Sequence, residues 1–287
     1  MAETLDLSTR IADGSAGRIR VIKPVRKPVA AVYWLPALGV GLRPNEHFAE
    51  AVASQDIAVV IHEWRGMGES GPQPSRRHDW DYARLLTQDI PAGLHAAREA
   101  LPLTSWFIGG HSLGAQLALI SAALNPDDFK GIWFVAGGHP WWRTFPGAQS
   151  WQVLMLSLLM RPLTALYGYF PGQRLGFAGR EARTLMREWA QTARTGAYPL
   201  PSMSRDVAGW LSHYRGSIAA VRMTRDDYAP AASLRHLQHL TPQAEWQIHV
   251  LGAEDFSIQR ADHFSWLKDP GPVATRLTSW TKHQLKR

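Results

Sequence analysis

The run Trp106-Phe107-Ile108-Gly109-Gly110-His111-Ser112-Leu113-Gly114-Ala115-Gln116-Leu117 reads as a buried strand, a tight turn carrying one serine, and the start of a helix. Gly110 and Gly114 leave room where a sharp strand-to-helix turn forces backbone segments together. Ser112 then stands exposed at the end of a sheet, and the helix, expected over about residues 113–125, points its positive N-terminal end at whatever the serine attacks. A Gly-x-Ser-x-Gly match arises by chance roughly one time in eight in a chain of this length. Its weight comes from context: an apolar run before it, and Ala115, Leu117, Ala118, Ile120, Ala122 and Leu124 after it.

On the N-terminal side, residues 19–22 read as a first strand ended by Lys23-Pro24, and 29–35 as a continuous apolar strand buried on both faces. The second runs into Pro36-Ala37-Leu38-Gly39-Val40-Gly41, a turn that can present free backbone N–H groups, and then a helix over about 44–54. Residues 57–62 form the next strand, followed by a glycine-containing loop, 63–72. That loop fits neither the dinucleotide fingerprint nor a P-loop, and reads as structural. A helix over about 80–101, bent at Pro91, leads into the serine strand.

Downstream, 131–136 is another apolar strand. From 137 to 204 the chain turns helical and aromatic, with Trp141, Trp142, Trp151, Tyr167, Tyr169, Phe170 and Trp189, several prolines and no convincing strand. Alternation resumes with strand 218–223, segment 231–240, strand 246–251 and a helix over about 273–286. The expected organisation is a core over 1–136 and 205–287, interrupted by a helical cap insertion over 137–204. Residues 151–160 are strongly apolar, but Arg161-Pro162 interrupts them well short of the roughly 20 residues a membrane span needs. They read as a core helix of the insertion, with contact to lipid or a long acyl chain as the alternative, and no transmembrane segment is expected.

The 287 residues, 45% hydrophobic and 19% charged, can bury a full core. There is no cysteine, which excludes disulfides, thiolate metal sites and cysteine nucleophiles. The first twenty residues mix Glu3, Asp6, Arg10, Asp13, Arg18 and Arg20 without an apolar stretch, unlike a secretory signal, so the expected location is cytoplasmic. The net charge of +7 comes with no dense basic run and no nucleic-acid motif, so no nucleic-acid partner is expected.

A serine hydroxyl needs a base to take its proton, and the base needs an acid to hold its tautomer. Asp226, four residues before Pro230, lies in the loop after strand 218–223, with Asp227 as the close competitor. His263 follows the last strand in a polar loop and precedes the last helix. His236 and His239 lack a third ligand of suitable spacing, so no metal is expected. His111 is adjacent to Ser112 and is expected to pack beside the turn.

Together these residues resemble the α/β-hydrolase superfamily over nearly the whole chain. Gly110-His111-Ser112-Leu113-Gly114 is similar to its serine turn, Arg65-Gly66-Met67-Gly68-Glu69-Ser70 to its R-G-x-G-x-S loop, Asp226 with Pro230 to its acid loop, and His263-Phe264 to its histidine loop. Leu35-Pro36-Ala37-Leu38-Gly39-Val40-Gly41 resembles a little-characterised bacterial group of predicted hydrolases. The resemblance implies a mostly parallel central sheet with helices on both faces and a cap insertion. It also implies a cofactor-independent serine hydrolase, of carboxylesterase, lipase or thioesterase type, acting on a small-molecule ester, and the tryptophan-rich insertion predicts an apolar acyl group. Ser112, Asp226 and His263 would be catalytic, and the Leu38 and Leu113 N–H groups would form the oxyanion hole. The usual His-Gly pair before the first donor is replaced by Pro36-Ala37, which makes Leu38 the donor by position. Trp141 and Trp142, directly after strand 131–136, are expected to line the substrate pocket. An acyltransferase using the same three residues, or an inactive binding protein of this fold, are the competing readings.

Overall fold

The computed structural model describes residues 2–103, 105–203 and 206–287. An eight-stranded sheet runs in the order β1-β2-β4-β3-β5-β6-β9-β10. Its strands are β1 (Ala2–Arg10), β2 (Ala16–Pro24), β3 (Ala30–Leu35), β4 (Ile57–His62), β5 (Trp106–His111), β6 (Ile132–Val135), β9 (Ser217–Met223) and β10 (Glu245–Leu251). The β1–β2 and β2–β4 pairs are antiparallel and every other pair is parallel. The sheet therefore opens with an antiparallel hairpin that the sequence reading truncated. The first strand is Ala2–Arg10, not 19–22, and it was missed because it is an edge strand, exposed along most of its length, with no apolar pattern.

Central strands are legible because both faces are covered. In β3, Ala30, Val32 and Trp34 enter one core with Phe48, Val52 and Trp266. Ala31, Tyr33 and Leu35 enter the other with Ile90, Leu94 and Leu117. Helices α1 (Glu46–Ala53) and α10 (Gly271–Gln284) cover the first face. The second is covered by α3 (Ile90–Ala100), α4 (Leu113–Leu124), α8 (Val207–His213) and α9 (Ala231–Leu240). The helix expected over 80–101 is divided: α2 (Tyr82–Arg84) passes into a π-helical turn at Leu85–Asp89, and α3 begins with Pro91 in its first turn. Pro91 follows directly on the π-helical turn, whose widened backbone accommodates a residue with no N–H to donate.

Between β6 and α8 the chain builds α5 (Gly147–Tyr167), β7 (Phe170–Pro171), α6 (Gly172–Leu175), β8 (Arg180–Glu181) and α7 (Arg183–Thr195). One correction is needed here: a short antiparallel hairpin, β7–β8, lies within the stretch expected to hold no strand. The Arg161-Pro162 pair interrupts the apolar run, as expected, while the helix itself continues to Tyr167 with Pro162 on its exposed side. The expected end of the insertion, Ser204, and Arg205 after it lie outside the described residues.

Candidate active site

At the carboxyl end of β5 the chain turns through Ser112 with φ 57° and ψ −119°, a conformation that L residues rarely adopt. The turn is held from several sides. Ser112 N–H donates to the Val135 carbonyl of β6 at 3.0 Å. A Cβ on Gly110 would lie 2.3 Å from the Gly114 carbonyl carbon, and one on Gly114 would lie 2.0 Å from the Leu35 carbonyl oxygen. Only glycines let α4 start this close to β5 and β3. The helix is buried nearly all round, so its N-terminal N–H groups are fixed to the sheet.

The loop after β3 is fixed as well. Trp64 Nε1–H donates to the Pro36 carbonyl at 3.1 Å, and Val40 N–H to the Ala37 carbonyl at 3.0 Å. Gly39, at φ 74°, lies against Gly179 of the hairpin loop. The result places Leu38 and Leu113 on one cavity wall beside Ser112. The Arg65–Ser70 loop is structural, as expected. Arg65 makes a two-point bond to the Asp89 carboxylate at 2.6 and 2.9 Å and reaches Asp13, while Glu63 accepts from Ser70 Oγ and Glu69 N–H.

His263 and Asp226 come together across 37 residues of sequence. His263 Nδ1 lies 2.9 and 3.0 Å from the two Asp226 carboxylate oxygens, and both side chains are buried. Asp226 Oδ1 also accepts from the Tyr228 and Ala229 N–H groups at 3.0 and 2.8 Å. A carboxylate facing Nδ1 makes that nitrogen the donor and leaves the Nε2 lone pair free. Asp227 is exposed and makes no such contact with His263. Ser112 and His263 open onto the same cavity, though the hydroxyl is not hydrogen-bonded to the ring, a contact that in resting sites often closes only with substrate.

His111 is fully buried against the rings of His263, Phe264 and Trp266, with centroids 4.9 to 5.5 Å apart. Burial, and then the neighbouring His263, pull its pKa well below the ordinary value, so it sits there neutral. His236 donates to the Gly196 carbonyl and stacks near Trp141. Among the described residues no cluster of His, Asp and Glu is placed to hold a metal ion.

The cavity measures about 420 Å³. Its apolar walls include Phe145, Val153, Leu156, Phe177, Trp189 and Phe264, and besides Ser112 and His263 its polar groups are Gln116, Gln149, Gln152, Asp227 and Tyr228. Tyr198 O–H donates to Gln116 Oε1 at 3.0 Å, which leaves the Gln116 amide N–H groups for the cavity. Trp141 and Trp142 do not line it, a correction to the sequence reading. After Pro140 the chain carries Trp141 onto His236 and Gly196, and Trp142 onto Trp151. The residues that do line it from α5, at positions 149, 152, 153 and 156, have helical spacing, a signal the sequence carried. Phe177 and Tyr228, both lining the cavity, stack with their rings 11° from parallel, and nothing in the local pattern announces that pairing.

The sheet order, the strained serine at the head of α4 and the cavity above it define an α/β-hydrolase fold. The chain belongs to the serine aminopeptidase S33 family, whose model matches residues 26–224. It is 26% identical to human monoglyceride lipase over 121 residues, a match spanning 42% of this chain and 39% of that protein. The chain thus aligns with about two-fifths of the length of such relatives. Among solved structures, Est1E from Butyrivibrio proteoclasticus with bound ferulic acid superposes with a TM-score of 0.63 at 15% identity, covering 97% of this chain and 99% of that one. The haloalkane dehalogenase DbeA from Bradyrhizobium elkani gives 0.63 at 16%, covering 99% of each. At such identities the likeness is one of fold alone, and reactions differ within it.

Proposed function

We propose that the protein is a serine hydrolase that cleaves a carboxylic ester or thioester with an apolar acyl group, and that residues 137–203 cap its site. The observation that carries this reading is the common cavity onto which Ser112, at its strained turn, and the Asp226-bound His263 both open. Ser112 Oγ attacks the carbonyl carbon while His263 Nε2 takes its proton. Asp226 holds Nδ1–H and stabilises the imidazolium. The oxyanion is received by the N–H groups of Leu38 and Leu113. His263 returns the proton to the departing alkoxide or thiolate, and water, deprotonated in turn by His263, releases the acid from the acyl-enzyme. Monoglyceride lipase among the relatives supports an ester substrate, and the aromatic and aliphatic walls support an apolar acyl chain.

Covalent labelling with a fluorophosphonate tests the reading. The probe is expected on the Ser112 peptide, absent from Ser112→Ala, and an ester panel is expected to favour medium over acetyl chains. Labelling elsewhere, or ester turnover that survives Ser112→Ala, overturns it. Product analysis with added alcohol separates hydrolysis from acyl transfer, and well-folded protein that takes no label points to the inactive binding protein.

A further inference from the structure

Helix α5 has two faces of different kind, a mixed one toward the cavity and an apolar one toward solvent. Gln149, Gln152, Val153 and Leu156 look into the cavity. About 120° round the helix, Trp151, Met155, Leu158, Leu159, Pro162 and Leu166 form an outer stripe roughly 22 Å long. This stripe is open to solvent: Trp151 is 63% exposed, Leu158 51% and Leu166 67%. Arg161 is the one charged residue among the 21 of α5. Exposed apolar patches of this extent mark binding surfaces.

The charges around the stripe say what binds. Residues 137–203 contain seven arginines, no lysine, no aspartate and two glutamates, Glu181 and Glu188, both buried. Arg143, Arg161, Arg174 and Arg180 are exposed, and Arg143 and Arg174 lie over the rings of Trp142 and Tyr167 at the two ends of α5. The surface of the insertion therefore offers guanidinium groups and hydrocarbon, and no carboxylate. Two copies meeting through this face about a two-fold axis would set the arginines of one against those of the other. We propose that this face docks on an anionic phospholipid surface, with α5 lying in the interface plane and the arginines reaching the headgroup phosphates. Among the described residues no helix is long and apolar enough to cross a membrane, so contact is peripheral.

The docking rests on this face alone. Its consequence rests on the ester reading: with α5 roofing the cavity, an apolar ester passes from lipid to site without crossing bulk water. Co-sedimentation of the full chain with vesicles tests the docking. Vesicles of phosphatidylcholine containing phosphatidylglycerol are expected to bind it at least about tenfold more tightly than phosphatidylcholine alone. Arg161→Gln with Arg174→Gln should weaken binding about 30-fold. Met155→Ser with Leu158→Ser and Leu166→Ser should abolish it, while both variants turn over a soluble short ester within about twofold of the parent. Ser112→Ala should bind as the parent does, so failure of the catalytic reading leaves this test intact. Absence of vesicle binding, or binding indifferent to both sets of substitutions, overturns the proposal. So does lipid-free self-association that the apolar triple variant removes, since a second copy would then be the occupant.

Discussion

Asp226 and Asp227 are adjacent in sequence and opposite in setting. One is buried, aligned by two backbone N–H groups and bonded to His263; the other faces solvent at the cavity rim. An acid that fixes a tautomer must be held in place itself, so the proposed mechanism assigns the two very different costs. Asp226→Asn should lower kcat for an activated ester by about 10³- to 10⁴-fold, because the amide can donate to Nδ1 and stabilise the wrong tautomer. Asp227→Asn should stay within a few-fold. Parallel kinetics on the two variants, with thermal melts to check folding, settle it, and a comparable loss in both would remove Asp226 from its assigned role. The sequence narrowed the acid to these two residues because loop position is legible, and preferred Asp226 on its spacing to Pro230; which carboxylate turns inward is decided by the Tyr228 and Ala229 N–H groups, which no spacing announces. Trp141 and Trp142 teach the same at larger cost. Adjacency to β6 placed their backbone correctly, but the turn at Pro140 sends both indoles away from the cavity.

The junction of β3, β5 and α4 decides whether a nucleophile is presented at all. Leu113 and Ser112 are useful only if α4 begins against the Leu35 and Pro36 carbonyls, and the contact leaves no room for a side chain on Gly114. Gly114→Ala is therefore expected to push the helix N-terminus off the sheet, costing about 3 kcal/mol and most of the reactivity of Ser112. Denaturant melts together with the labelling rate measure both effects. Full labelling in a variant of normal stability would show that the helix can shift without consequence. These elements were legible because strands buried on both faces are written as unbroken apolar runs, as in residues 57–61 and 106–108. The edge strand β1, by contrast, buries Thr9 almost alone, so nothing in its composition sets it apart from a loop. The β7–β8 hairpin was equally silent, being two residues on each side and held by its contacts with the loop after β3.

Across the molecule, the buried ionisable groups give stability a direction with pH. His62 and His139 are pulled down to about 3 by burial and, secondarily, by Arg65 and His236 respectively, and His111 is pulled down in the same way. In the unfolded chain each takes up a proton near pH 6.5, so the stability they confer is present above that value and is lost as pH falls toward 3. Glu181 works the other way. Burial raises it to about 7 against one bond from the Gly179 N–H, so its contribution is full below about 4.5 and is lost as pH rises through 7. Asp89 is also raised by burial, in spite of Arg65, and shares that sign. Three histidines against two carboxylates leave at least one histidine uncompensated. Stability should therefore fall between pH 6 and pH 5 by about 1.4 kcal/mol or more, a drop in Tm of roughly 2 °C or more. Glu181→Gln keeps the acceptor for Gly179 N–H and removes the titration, so it should raise Tm at pH 8 and steepen the acid limb. Melts of the parent and this variant at pH 8, 6 and 5 provide the measurement. A parent Tm that holds or rises from pH 6 to 5 would mean that the buried histidines gain protons without unfolding the sheet that encloses them.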